Sequence, residues 1–290
     1  MCIRDRYFLQ LDKNDLEKEF IYFAYVLNAP QAAGVRGGAI GQGAVLEFRR
    51  FKDEIALFKK NTNFSNETDN NIGKADLTNI MEAFLDSFEV VVEEGESIVI
   101  SVSDLFLSET LTSVSPNLPR EYRDFVDLDL GRLDDDKTFI NQVRNYPKNT
   151  AVEVAFGFSN PKPNQRNAVY AVADARFTSI VARHLFVEMP DDQFNTRVAD
   201  QRVGYFSQRV TDLSTYDNYP QRDLINKWRL IKKDPEAELS EPVNPIVFWV
   251  EKSTPEEIKP MVVKGIEAWN LAFERAGFKN AIVDKIQPDD

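Results

Sequence analysis

The chain contains one imidazole, His184, and one thiol, Cys2. A histidine could act as a general base or supply one ligand to zinc. A catalytic zinc takes several protein ligands, however, so His184 cannot build such a centre alone. It falls in an alternating stretch, residues 179–187, where a structural or surface role is expected. A lone cysteine gives neither an internal disulfide nor a thiolate zinc cage. Asp127, Asp129, Asp134, Asp135 and Asp136 crowd one segment and invite a calcium reading. Their order, D-x-D-x-G without an acidic bidentate closer at the right distance, is not that of an EF-hand, and a solvated acidic loop is expected instead. Residues 32–42 (AAGVRGGAIGQ) are glycine-rich like a phosphate cradle. The spacing matches neither G-x-x-x-x-G-K-[ST] nor a strand-embedded G-x-G-x-x-G, which favours a flexible or bulged connection between strands. Carboxylates are plentiful, but no spacing singles out an acid–base pair. No residue is therefore assigned a catalytic, cofactor-binding or metal-binding role.

The elements that would position such groups come next. The length of 290 residues supports a sizeable core and about two domains. A net charge of −12 argues against nucleic acid or an anionic membrane as the main partner, because both attract cationic surfaces. No stretch reaches the apolar length of a membrane span. Residues 1–6 (MCIRDR) resemble a translated scrap of sequencing adapter, so the natural protein is expected to begin further upstream.

Residues 20–27 (FIYFAYVL) read as a strand, and 44–51 with 54–60 as a hairpin turning at Lys52-Asp53. Residues 61–74 form a polar loop with glycosylation-type triplets at Asn63 and Asn66. Residues 75–88 place Leu77, Ile80, Met81, Phe84, Leu85 and Phe88 on one helical face, and a helix is expected there. A strand over 97–102 and a short helix over 104–108, capped by Ser103 or Asp104, follow. Residues 116–149 read as irregular and 151–159 as a strand. Residues 168–176 and 179–187 read as a hairpin. Residues 200–213 (DQRVGYFSQRVTDL) suggest a strand through Val203, Tyr205 and Val210, with Gly204 permitting a bulge or close approach. Residues 226–231 read as a last short strand. The proline-rich, charged segment 232–245 is expected to be an interdomain linker.

The final segment is the most ordered in pattern. Residues 246–250 (IVFWV) form an apolar run, and Thr254-Pro255-Glu256-Glu257 carries the cap, proline and acids of a helix start. Ile258, Val262, Ile266, Trp269, Phe273 and Ala276 then recur at spacings of three and four. Pro260 places the start of regular helix near itself, and Gly277 is the expected left-handed stop. Residues 281–283 open a second strand, so a parallel pair joined by a helical crossover is expected.

The strings NPIVFWVE, TPEE and GIEAWNLAFERAGF, with RVGYF at 202–206, resemble a family of large bacterial zinc-dependent metalloproteases related to the metzincins. That resemblance favours antiparallel strands early in the chain and a strand over 83–92 in place of the helix. It implies an α+β protein, with an antiparallel β-rich N-terminal domain over 7–231 and a linker over 232–245. Residues 246–290 would then be the opening strand–helix–strand of a metzincin-like α/β catalytic domain, with Trp269 and Phe273 in its core. The His-Glu-x-x-His zinc helix lies downstream of this point in that family. The expectation is an inactive N-terminal portion of a secreted or periplasmic zinc metalloendopeptidase. It would bind no cofactor itself, its partner would be its own downstream catalytic domain, and zinc and a peptide substrate would belong to the parent. As an isolated piece, residues 244–290 are expected to be poorly ordered or to expose the Trp269–Phe273 face. The competing expectation is a non-enzymatic β-rich binding or scaffold protein of the cell envelope. A small-molecule enzyme using paired carboxylates ranks last.

Overall fold

A computed structural model describes residues 6–41, 43–65, 80–115, 126–163, 170–190, 194–215 and 217–288. Cys2, Asn66, Leu77 and the segment 116–125 lie outside the described residues. Strand accounts for 44% and helix for 11%, so the protein is β-dominated. The chain divides into two units, Met1–Asp192 with Val210–Gln221, and Gln193–Arg209 with Arg222–Asp290. The segment expected as a linker, 232–245, therefore lies inside the second unit. No described helix is long and apolar enough to cross a membrane.

The first unit is built on a curled antiparallel sheet of ten strands. In chain order its strands are β1 (Phe8–Asp12), β2 (Glu19–Asn28), β3 (Ala44–Phe51) and β4 (Glu54–Lys59). A two-residue strand outside the sheet, β5 (Phe64–Ser65), comes next. Then follow β6 (Ala83–Glu94), β7 (Ser97–Ser101), β8 (Arg132–Leu133), β9 (Phe139–Tyr146), β10 (Asn149–Ser159) and β11 (Phe177–Glu188). Their spatial order is β1-β7-β6-β4-β3-β2-β11-β10-β8, with β9 also on the outer side of β10. The inner face packs Tyr22, Leu46, Phe48, Ile55, Leu57, Phe88, Ile98, Ile100, Val154, Phe156, Phe158 and Ile180 into one core.

The expected hairpin of β3 and β4 forms, with Lys52 in the left-handed region at φ 57°. The helix expected over 75–88 does not: from Ala83 onward the chain is strand. The physical reason is pairing with a distant strand: Ala83–Glu89 lie along β4 and the continuation Val90–Glu94 along β7, which outweighs a local helical period. The short helix α1 (Ser103–Phe106) is one turn without a side-chain cap. Ser103 Oγ instead accepts the Tyr7 N–H at 2.9 Å, tying α1 to the start of β1.

Two further expectations fail at the far end of the sheet. Residues 139–146, read as irregular, form β9. A register shift opposite Glu153/Val154 breaks its alternation, so no period-two signal survives in FINQVRNY. Residues 170–176 are not a strand; the hairpin-like partner of β11 is β10, paired from Asn149↔Val187 to Ser159↔Phe177. The outer face carries ionic ladders. Arg183 lies opposite Glu153, bonds it and donates to the Tyr25 hydroxyl at 2.7 Å. Glu47, only 5% exposed, bonds Arg49 and meets Lys60 at 3.2 Å, while Glu82 takes Arg49 at 2.6 Å and Lys60 at 2.5 Å. Hydrogen bonds from Arg49 hold the Glu82 carboxyl down at about 2. These cross-strand groups form a network without needing a ligand.

The second unit includes β14 (Ile246–Val250) and β15 (Ile282–Ile286), reached through β12 (Ser207–Asp212) and β13 (Gln221–Ile225). β14 and β15 pair in parallel as expected, Ile246 with Ile282 through Val250 with Ile286. Between them run α2 (Lys259–Glu267) and α3 (Asn270–Arg275), with Pro260 in the first turn of α2. The crossover is thus two helices, separated where Trp269 N–H bonds the Ile266 carbonyl at 3.2 Å in a tighter, three-residue turn. Gly277, at φ 89°, closes α3 as anticipated: its N–H bonds Glu274 and that of Phe278 bonds Phe273, both at 2.9 Å. Asn270 clamps β15, donating to the Ile282 carbonyl at 2.9 Å and accepting the Ile282 N–H at 3.1 Å.

Residues 226–231 are not a strand. The 232–245 segment folds back on itself, with Lys233 N–H to Glu241 carbonyl at 2.9 Å and Val243 N–H to Ile231 carbonyl at 2.8 Å. Lys232 Nζ donates to the Ala237 and Glu238 carbonyls at 2.7 and 3.0 Å. Prolines and charges here shape a packed turn rather than a spacer. The strand expected over 200–213 shrinks to β12, which excludes Val203 and Tyr205.

Gly204 has open space around its Cα, so it makes no close approach. That role belongs to Gly157 in β10, where an added Cβ would lie 2.5 Å from the Lys137 carbonyl oxygen and Cβ. Thermal melts of two substitutions separate these cases. Gly157→Ala is expected to lower stability by about 3 kcal/mol through the backbone clash, and Gly204→Ala to leave it nearly unchanged.

Candidate functional site

The curled sheet ends in β1 on one side and β9 on the other, and between them lies an apolar cleft of about 530 Å³. Alternation puts Leu9 and Leu11 of β1 on the core side. Ile140 and Val143 of β9, Phe106 of α1, and Phe48 and Phe186 of the sheet are among the other apolar residues that line it. The polar groups at the cleft are few: Gln10, Asp15, Asn145 and Thr150, with Tyr7 at one end. Asp15 is paired with Lys18 at 3.0 Å. A concave, mostly apolar hollow with a few polar groups at its rim is the form a binding site takes.

His184 sits one layer behind this wall. Ile180, Ala182, His184 and Phe186 share one parity on β11; the first three are buried, and His184 is 0% exposed. Its ring packs against Phe106 at 5.9 Å and Phe156 at 5.9 Å, and Nδ1 meets the Tyr22 hydroxyl at 2.9 Å. His184 Nε2 has no partner among the described residues. Burial pushes the imidazole down to about 4 and the Tyr22 phenol up. The histidine is thus a neutral core group behind Phe106 and Phe186, out of reach of a ligand in the cleft. The sequence placed it in an alternating strand but left its face open; the parity of Ile180, Ala182 and Phe186 was the available signal.

The glycine-rich segment forms no phosphate cradle. Gly34 N–H bonds Gln31, Gly38 N–H bonds Val26, Ala39 N–H bonds Arg36 and Gly41 N–H bonds Ala24, so these amides are already used within the chain. Ile40 bridges Tyr25, and a Cβ on Gly37 would lie 3.3 Å from the Leu27 carbonyl. The segment laps against β2, the connecting role its spacing suggested.

The aspartates likewise serve the loop. Asp134 accepts Ser159 Oγ at 2.5 Å and Asp136 N–H at 3.2 Å and bonds Lys137, whose ammonium holds its carboxyl below the ordinary range. Asp129 accepts the Gly131 N–H at 3.1 Å. Among the described residues no group of three or more His, Cys, Asp or Glu side chains is placed to hold a metal.

A family model described as a domain of unknown function, DUF5117, matches residues 37–233. The match spans more than half of the chain, and the chain belongs to this family. No curated protein and no solved structure matches it.

The sealed imidazole has a measurable consequence. The folded state keeps His184 neutral down to about 4, whereas an unfolded chain takes the proton near 6.5. The unfolded state therefore binds more protons between those values, and stability falls as pH drops through that window. The loss expected is about 3 kcal/mol, complete by about pH 4. Urea titrations across that range are expected to show this slope in the native chain and its absence in His184→Leu.

Proposed function

We propose that this chain is the N-terminal, non-catalytic part of a secreted or periplasmic zinc-dependent metalloendopeptidase, joined to the opening strand–helix–strand of its catalytic domain. The observation that carries this reading is the second unit's parallel pair, one face of which is bare. Val247, Phe248 and Trp249 are consecutive on β14 and all exposed, Trp249 at 58%. Val247 and Trp249 share one face of β14, which is therefore uncovered, while on the opposite face Ile246 and Val250 are buried and Phe248 between them is 43% exposed. Trp269 is 63% exposed, Met261 and Leu271 are exposed as well, and neither α2 nor α3 has a buried residue. Parallel sheets are stable with both faces covered, and an apolar patch of this kind marks a surface made to be packed. The similarity of NPIVFWVE, TPEE and GIEAWNLAFERAGF to the metzincin-related proteases supplies the kind of domain that would cover it.

In that reading the zinc ligands and the glutamate base come from downstream sequence. The metal would polarise the scissile carbonyl and activate a water for attack on the peptide bond. This chain's contribution is scaffold. Asn270 locks β15 to the crossover, and Gly277 ends the helix where β15 begins.

A second reading, a non-enzymatic binding module of the cell envelope, is favoured by the apolar cleft between β1 and β9. Reading the source DNA past codon 290 separates the two. A continuing frame that encodes a His-Glu-x-x-His helix is the expected result, and the protein expressed from it should cleave casein in a zinc-dependent way. A stop codon directly after Asp290 would overturn the protease reading and leave the binding module.

A further inference from the structure

The cleft's walls are strand edges as well as side chains. Five consecutive residues, Tyr7, Phe8, Leu9, Gln10 and Leu11, line it. A hollow touching one face of a strand would meet only alternate residues, so here the edge of β1 is itself the wall.

Hydrogen-bond parity identifies which groups that edge presents. Tyr7 carbonyl accepts the Val102 N–H at 2.9 Å, and Lys13 N–H donates to the Glu96 carbonyl at 2.8 Å. The register between them, Phe8↔Ser101 to Asp12↔Ser97, is unbroken. Odd-numbered residues therefore direct their backbone groups at β7, and Phe8 and Gln10 direct theirs at the cleft. Among the described strands β1 pairs only with β7, and β9 only with β10.

We infer that the seam between β1 and β9 binds an extended polypeptide strand that adds to β1 by main-chain hydrogen bonds to Phe8 and Gln10. Its alternate apolar side chains would sit on Leu9, Leu11, Phe106, Val143 and Phe186. β1 is about 17 Å long at the usual strand rise, which sets the occupant at five or six residues. Charge selects the same class. No lysine or arginine lines the cleft, and its charged group is Asp15. A fatty acid or phospholipid anion would find no cation in the lining, the neighbouring Lys18 being paired with Asp15, while a peptide has neutral backbone donors and acceptors and can carry a basic flank on a protein of net charge −12. Strand addition of this type draws affinity from the main chain and preference from the pockets for alternate side chains. The inference does not rest on the protease reading, because holding a strand requires no zinc.

The test uses a fluorescein-labelled peptide of three valines alternating with threonines between terminal lysines, followed by fluorescence anisotropy against the full chain. Saturable binding is expected. A second peptide, N-methylated on alternate amides so that it keeps its side chains but cannot pair, is expected to bind roughly tenfold more weakly or worse. Gln10→Pro removes an N–H that faces the cleft and spares the β7 ladder, a substitution edge strands tolerate. It should weaken binding similarly with little change in melting temperature. Equal binding of the two peptides, or binding of neither, would overturn the proposal. So would dodecanol displacing the peptide while Gln10→Pro leaves peptide binding unchanged, since that result marks a cavity for small apolar molecules. None of these outcomes bears on whether a zinc helix is encoded downstream.

Discussion

Antiparallel hydrogen bonding carries ten strands from β1 round to β9 without closing the ring, and much in the first unit depends on that open seam. A closed barrel removes its edges; an open curled sheet keeps two. Here the two edges border the same apolar hollow. α1 lies at that hollow, with Leu105 and Phe106 buried and Ser103 holding the Tyr7 amide. The aromatic groups behind it, Phe106, Phe186, Tyr22 and His184, pack edge-on or tilted at 5.3 to 5.9 Å where Phe106 meets His184 and Phe186, and Tyr22 meets Phe186. The core thus has one wall made of side chains and one made of unpaired backbone.

The imidazole shows how such a core limits chemistry. A histidine at 0% exposure with one nitrogen on Tyr22 and the other unpartnered contributes little to stability by hydrogen bonding. A lost hydrogen bond at a buried group costs about 1–3 kcal/mol. Three aromatic rings, Tyr22, Phe106 and Phe156, and Val152 across the ladder nevertheless surround its position. Burial that keeps it neutral also keeps it from exchanging protons with a ligand. Residues whose types suggest chemistry are here absorbed by structure: His184 by the core, Asp134 by its own turn and the glycines by β2.

The parts legible in the sequence were those in which one local rule acted alone. β10 alternates cleanly, the β3–β4 turn carries Lys52-Asp53, and the last crossover announces itself through Pro260, its apolar period and Gly277. Legibility ended where a distant partner decided. Residues 83–88 satisfy a helical period and became strand because β4 was available to pair with them and β7 with the residues that follow. β9 carries a register shift that exchanges its faces, so Ile140 and Val143 both reach the cleft across an odd spacing that no period-two template recognises. The cleft was invisible for the same reason: its walls join Tyr7–Leu11 to residues of β9, β10 and β11 more than a hundred positions away. Gly157 read as one more alternating position, since a clash with Lys137 exists only after folding.

The two units answer the same constraint in opposite ways. In the first, a long antiparallel sheet curls to bury one face and leaves backbone edges open at a sheltered seam. In the second, the edge problem is handled locally, since Asn270 satisfies both main-chain groups of Ile282, while the Val247–Trp249 face of β14 remains bare. An open edge in a hollow selects for something extended, because only another strand offers donors and acceptors at the matching spacing. A bare apolar face selects for something layered, such as helices on a sheet, because its need is area rather than direction. The strand-binding seam and the uncovered crossover therefore call for different partners. A protein that holds extended segments with one unit and packs against a larger α/β domain with the other would use both surfaces at once.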